Sequence, residues 1–228
     1  MIRNPTLRLA GLALAAALAT GGAQAATIVK DTSSTSNIPG LTGFATTGAM
    51  MTGLAVTANF VGGFSETVLW GTFGPALGGA LGTGWTLSLN GDTFSANWEF
   101  DFGAGSSLQL LSLVLDGTNA LTVLDTTSPT PGTPGSAAGL DLVMNEVVLD
   151  GATTGTYSSE VAISPAAALG DLFQVLTISF NAGAEPRSDF AFRQDTDNDS
   201  RFGVPEPGSL TLAGLALVGL AAARRRCA

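Results

Sequence analysis

Apolar and polar residues alternate along most of this chain. The clearest run is residues 94–102, where Phe94, Ala96, Trp98, Phe100 and Phe102 fall on one side of a strand and Ser95, Asn97, Glu99 and Asp101 on the other. Trp85, Leu87 and Leu89 alternate in the same way, and Asn90 with Gly91 predicts a tight hairpin joining the two runs. Further strand-like runs cover residues 54–61, 64–70, 108–115, 140–149, 157–163, 172–180 and 189–192. Turn pairs such as Gly62 with Gly63, Asp116 with Gly117 and Asp150 with Gly151 punctuate them. Short strands, 30 glycines and few helix-length patterns predict an all-β body, an antiparallel β-sandwich or jelly roll. Residues 166–169 are the one helical hint. Residues 126–139, TTSPTPGTPGSAAG, predict an exposed loop or internal linker.

The two ends break the alternation. Residues 1–25 place Arg3 and Arg8 before the apolar run 9–18 and end on Ala23-Gln24-Ala25, the small-x-small pattern of a cleaved secretory signal peptide. At the other end, residues 210–223 carry no charge and are followed by Arg224, Arg225 and Arg226. An apolar span with its basic flank after it is oriented outside to inside, with the arginines cytoplasmic. A helix of 14 residues reaches only ~21 Å, so such a span requires snorkelling arginines or local thinning of the bilayer. The expected organisation is a signal peptide (1–25), a body (26–194), an acidic linker with a Pro-Glu-Pro motif (195–208), a transmembrane helix (209–223) and a basic cytoplasmic tail (224–228).

Val204, Pro205, Glu206, Pro207 and Gly208, then the apolar segment, then Arg224 to Arg226, resemble the PEP-CTERM sorting signal of Gram-negative bacteria. That resemblance implies recognition by an exosortase, a membrane-embedded cysteine protease or transpeptidase. It also implies export by Sec-type machinery, transient anchoring in the inner membrane, and a host that makes exopolysaccharide or biofilm matrix. The two prolines deny their segment helical hydrogen bonds and bias Val204 and Glu206 toward extended geometry, which a protease outside the bilayer can grip. Within the body, Gly82-Thr-Gly-Trp85, Gly91-Asp-Thr-Phe94 and the run Asp195 to Asp199 are similar to the cistern family of PEP-CTERM proteins, which implies a shared outer fold.

Charge narrows the function classes. Between residues 26 and 207 all 18 acids face only four bases, Lys30, Arg187, Arg193 and Arg201, a formal charge of −14. A field of that sign repels nucleic acid. There is no histidine, and the single cysteine is Cys227. Neither a Ser-His-Asp or Cys-His relay nor a zinc site containing histidine can be assembled, and the body has no disulfide. Gly78, Gly79 and Gly82 lack the Lys and Ser or Thr of a phosphate loop and read as turn residues.

Catalysis would have to rest on carboxylates. Glu99 and Asp101 share one side of their run at a spacing compatible with a hydrolytic pair, while Glu66, Glu146 and Glu160 are no more distinctive. The spacing of Asp195, Asp197, Asp199 and Glu206 matches oxygens 1, 3, 5 and 12 of a calcium loop, although Ser200 replaces the turn glycine and prolines flank Glu206. A looser calcium site on Asp195, Asp197 and Asp199 is one expectation, and a solvated acidic spacer is the other. The expected function is that of an exported, non-enzymatic surface or matrix protein. The alternatives are a carbohydrate-binding module using Trp70, Trp85 or Trp98, or a carboxylate-based polysaccharide hydrolase.

Overall fold

The computed structural model describes residues 25–42, 45–127, 132–133, 136, 139–146, 149 and 151–200. They form two stacked sheets. The larger contains β1 (Thr27–Lys30), β2 (Thr35–Ile38), β3 (Leu41–Thr42), β4 (Ala55–Phe60), β5 (Ser65–Leu69), β10 (Leu110–Asp116), β11 (Thr122–Asp125), β13 (Thr153–Ile163), β14 (Leu172–Phe180) and β16 (Asp195–Asp199). The smaller contains β6 (Gly71–Thr72), β7 (Leu77–Gly82), β8 (Trp85–Asn90), β9 (Trp98–Phe102), β12 (Val143–Met144) and β15 (Phe190–Arg193).

Strand β14 is the hub of the larger sheet. Along one side it pairs with β10 through Val175 to Ser179 and with β11 through Leu172 and Phe173, and along the other with β13. Beyond β10 lie β4 and β5, and beyond β11 lie β16 and β3. Strands β1 and β2 run parallel to successive halves of β13, whereas the other ladders of the described residues are antiparallel.

Alternation places one side of each sheet in the seam between them. Val56, Ala58, Phe60, Leu113, Leu115, Leu176 and Ile178 enter it from the larger sheet, and Trp85, Leu87, Leu89, Trp98, Phe100 and Phe192 from the smaller. The aromatic rings pack in series. Trp85 stacks on Phe100 with centroids 5.7 Å apart, and Trp98 lies between Trp70 at 5.1 Å and Phe192 at 5.7 Å. Each buried Phe or Leu of this kind stabilises the fold by ~1.5–3 kcal/mol relative to exposure. A smaller cluster, Ile38, Val123, Val161 and Leu172, lies on the other face of the larger sheet. Its position follows from register, since Leu172 opposes Asp125 while the adjacent Phe173 opposes Leu124 of the main core.

The all-β sandwich expected from alternation is observed, and β8 and β14 coincide with their predicted runs. Elsewhere long-range pairing overrides the local pattern. The run at 94–102 is strand only from Trp98, because Asp92 folds residues 92–96 into a turn: its carboxylate accepts the Phe94 N–H and its carbonyl the N–H groups of Ser95 and Ala96. Phe94, in phase with the core residues, is therefore exposed. The glycines read as turns at 78–82 instead build β7. A Cβ at Gly78 would collide with the Gly48 carbonyl and the Trp70 ring nitrogen, so only glycine allows this approach. Among the described residues of the 140–149 run only Val143–Met144 pairs as a strand, and residues 164–166 form a turn with no helix following.

Two further differences concern polar segments. The loop expected to lie exposed at 126–139 contributes buried Thr126 and Thr133. Residues 195–199, read as a calcium loop or a solvated spacer, are the interior strand β16, so the body extends past the boundary expected at residue 194. The signal segment before Ala25 and everything after Ser200, including the expected transmembrane helix, lie outside the described residues. Among the described residues no helix is long and apolar enough to cross a membrane.

Candidate functional site

The densest chemistry lies where β11, β16 and the start of β14 meet under the loop that follows β11. Asp195 opposes Asp125 across the ladder, and Asp197 opposes Val123. Directly opposed residues share a face, so Asp125, Asp195 and Asp197 lie on the side of the smaller cluster, away from the aromatic seam. Asp171, just ahead of β14, is the fourth acid of the group. All four are buried, Asp125 to 1% and Asp197 to 4% residual exposure.

Hydroxyls and backbone amides meet part of this demand. Thr133 donates to Asp171 through its N–H at 2.8 Å and its hydroxyl at 2.7 Å. Thr93, held by the Asp92 turn, donates to Asp195 Oδ1 at 2.9 Å, which also accepts the Thr196 N–H. The Ser136 hydroxyl donates to Asp125 Oδ2 and also hydrogen-bonds Asp197. Asp125 Oδ1 and Asp197 Oδ2 have no hydrogen-bond partner.

Burial without a counter-charge disfavours the ionised form. Desolvation pushes Asp125 up to about 8, against the opposing bond from Ser136 and with the aid of Asp197, Asp195 and Asp171. Asp197 is pushed to about 7 by desolvation and by Asp195, and Asp195 to about 6 by desolvation and, more weakly, by Asp92. Every charged neighbour that shifts Asp125 is itself an acid.

Beside the acids lies a neutral network. The Tyr157 hydroxyl accepts the Leu142 N–H at 2.8 Å and donates to Gln194 Oε1, and burial drives its ionisation far above the ordinary range. Gln194 Nε2 in turn donates to the carbonyls of Asp125 at 3.1 Å and Asp195 at 2.8 Å. At the loop's neck Lys30 pairs with Asp141 at 3.4 Å and donates to the Thr127 carbonyl.

The calcium site expected on Asp195, Asp197 and Asp199 does not take that form. A calcium loop curls its oxygens around the ion, whereas these residues are extended along β16, with Asp195 and Asp197 paired to β11 and Asp199 to β3. Among the described residues no group of three or more carboxylates is placed to hold a metal ion. Sequence reasoning missed Asp125, Asp171, Thr133 and Ser136. The only local signals were an acid closing the largely apolar segment Leu121-Thr-Val-Leu124 and one opening β14.

Other candidates are scattered. Glu99 and Asp101 project from the exposed side of β9. Glu66, on edge strand β5, accepts the Thr83 N–H and hydroxyl and the Trp85 indole N–H, tying the two sheets together. Glu146 accepts the Ala191 N–H, and Glu160 accepts the Thr35 hydroxyl. The three tryptophans are at most 1% exposed, and their indole N–H groups are bonded within the protein, to the Gly48 carbonyl, Glu66 and the Gln194 carbonyl. A sugar-stacking role for Trp70, Trp85 or Trp98 is thereby corrected, since no ring face meets solvent.

The sorting residues Val204 to Gly208 and Arg224 to Arg226, with Glu206, fall outside the described residues, as does Ala23 of the cleavage pattern, while Ala25 is exposed. No curated protein and no solved structure matches the chain. Residues 203–226 match the family model of the PEP-CTERM protein-sorting motif. That motif marks an exported protein, held at the membrane during sorting by an exosortase and then passed to the surface. By this match, residues 203–226 of the chain carry a PEP-CTERM protein-sorting motif.

Proposed function

We propose that the protein is a non-enzymatic component of the cell surface or extracellular matrix, exported through a cleaved signal peptide and associated after sorting with exopolysaccharide. The observation that carries this reading is the sorting motif at residues 203–226, attached to an acidic β-sandwich. The placement of the acids supports a structural role over hydrolysis. Glu99 and Asp101 stand on the open face of a single strand, whereas a glycosidase sets two carboxyls across a bound sugar. Burial of all three tryptophans in the seam supports it over a sugar-stacking module. Similarity to the cistern family rests on three short body segments and adds an outer fold without a mechanism.

The test is expression of the full chain, and of a chain lacking residues 205–228, in a host that has an exosortase and makes exopolysaccharide. Mass spectrometry is expected to find a start at Ala26 and an end near Pro205 to Pro207 in the full chain. Co-sedimentation with the polysaccharide fraction is expected only for the processed form. An intact C-terminus at Ala228, or no polysaccharide association after correct processing, rejects the corresponding half of the proposal.

A further inference from the structure

Beyond sorting, the described residues hold one group whose hydrogen-bond demand cannot be met if every acid is ionised. The Ser136 hydroxyl has a single hydrogen yet bonds both Asp125 and Asp197. Two more oxygens, Asp125 Oδ1 and Asp197 Oδ2, are buried and unpartnered. Gly139 closes over Asp125 so tightly that a Cβ there would overlap the carboxyl.

We propose that Asp125, Ser136 and Asp197 form a proton-binding site, and that a proton bound there fastens the last described strand of the sandwich, β16, to β11. With the proton present, one acid is a neutral carboxyl and the O–H groups of that carboxyl and Ser136 supply two hydrogens to the three-residue chain. Without it, two carboxylates face each other across one hydroxyl, with Asp195 directly opposite Asp125 and Asp171 nearby. Repulsion then acts across the β11–β16 ladder, whose register joins Asp125 to Asp195 and Val123 to Asp197.

The charged surroundings contain little to relieve it. From β11 comes Asp125, from β16 Asp195 and Asp197, from the start of β14 Asp171, and from the β8–β9 turn Asp92, which acts on Asp195. Lys30 of β1 is engaged at the loop neck with Asp141 and the Thr127 carbonyl. The raised proton affinities of Asp125 and Asp197 follow from the same geometry. Strand β16 ends at Asp199, and residue 203 begins the sorting motif, so the site governs the last described strand before that motif in the chain.

The experiment uses the full chain purified in detergent. Amide hydrogen exchange of β16, corrected for intrinsic exchange rates, is compared with that of β8 and β14 between pH 5 and 9. Protection of β16 is expected to fall about tenfold per pH unit across the site's titration, with β8 changing less, and infrared spectra at pH 6 to 7 are expected to show a neutral carboxyl band. Asp125→Asn, which mimics the protonated acid, is expected to flatten the β16 profile and reduce that band. Asp197→Asn provides a second variant if the first misfolds. A wild-type β16 profile that is flat over this range, absence of the neutral carboxyl band, or an unaltered slope in a folded Asn variant overturns the proposal. So does full restoration of β16 protection at pH 8 by millimolar calcium, which would identify a metal site instead.

Discussion

The two faces of the large sheet solve burial in opposite ways. On the inner face, rings and aliphatic chains interlock with the smaller sheet, and the three indole N–H groups of the seam each have an acceptor. On the outer face beside β11 and β16, carboxylates are buried next to the small apolar cluster of Ile38, Val123, Val161 and Leu172, covered by a Thr- and Ser-bearing loop and left with unpartnered oxygens. Apolar burial stabilises at any pH, whereas buried carboxylate stabilises only in a protonation state that removes its desolvation cost. The seam therefore supplies stability, and the acid face conditions it.

The contrast is most severely tested by substitutions on each side of the sheet. Trp98→Ala empties a site between Trp70 and Phe192 and is expected to lower unfolding free energy by about 3–5 kcal/mol, measured by chemical denaturation, with little dependence on pH. Tyr157→Phe leaves the Leu142 N–H and Gln194 Oε1 without their shared hydroxyl and is expected to cost about 1–3 kcal/mol by the same measurement.

The pH response should carry opposite signs in two places. Asp125, Asp197 and Asp195 have folded-state proton affinities above their ordinary values, so the folded form holds protons that the unfolded form has released. Their contribution is complete below the ordinary carboxylate range and is lost as pH rises, the last of it near the value of about 8 for Asp125. Thermal unfolding should therefore show stability falling between pH 5 and 8, by about 1 kcal/mol per pH unit for each proton involved.

Glu66 behaves in reverse. The Thr83 backbone bond holds its carboxyl below the usual range, so its contribution is present at neutral pH and lost as acidification titrates it. Glu66→Gln is expected to cost less than about 1 kcal/mol, because the group is largely solvated, and to remove only that acid-side loss. A Glu66→Gln variant as destabilised as Trp98→Ala would show that the sheets are joined by their edge contacts more than by the seam.

Much of the sandwich was legible because alternation is a local signal. Leu87 and Leu89 read as core, and they are core. Phe94 has the same credentials and fails, since the Asp92 turn lies beyond what a period of two can express. The five polar residues Asp195 to Asp199 fail in the opposite sense: nothing in them suggests burial, yet β11 and β3 pair with them from residues 122–125 and 41–42. The acid group was illegible for the same reason. Its members come from residues 125, 136, 171, 195 and 197, and only chain reversals bring them together.

By itself the sequence determined the sorting signal and the fold class, because a sorting motif is read as a linear address and strand periodicity is written residue by residue. The tertiary structure alone decided which acids are dry, which glycines are strand and which aromatic rings lie outside the core. Each of those depends on partners remote along the chain, and the free energy of a buried charge is set by what surrounds it in space.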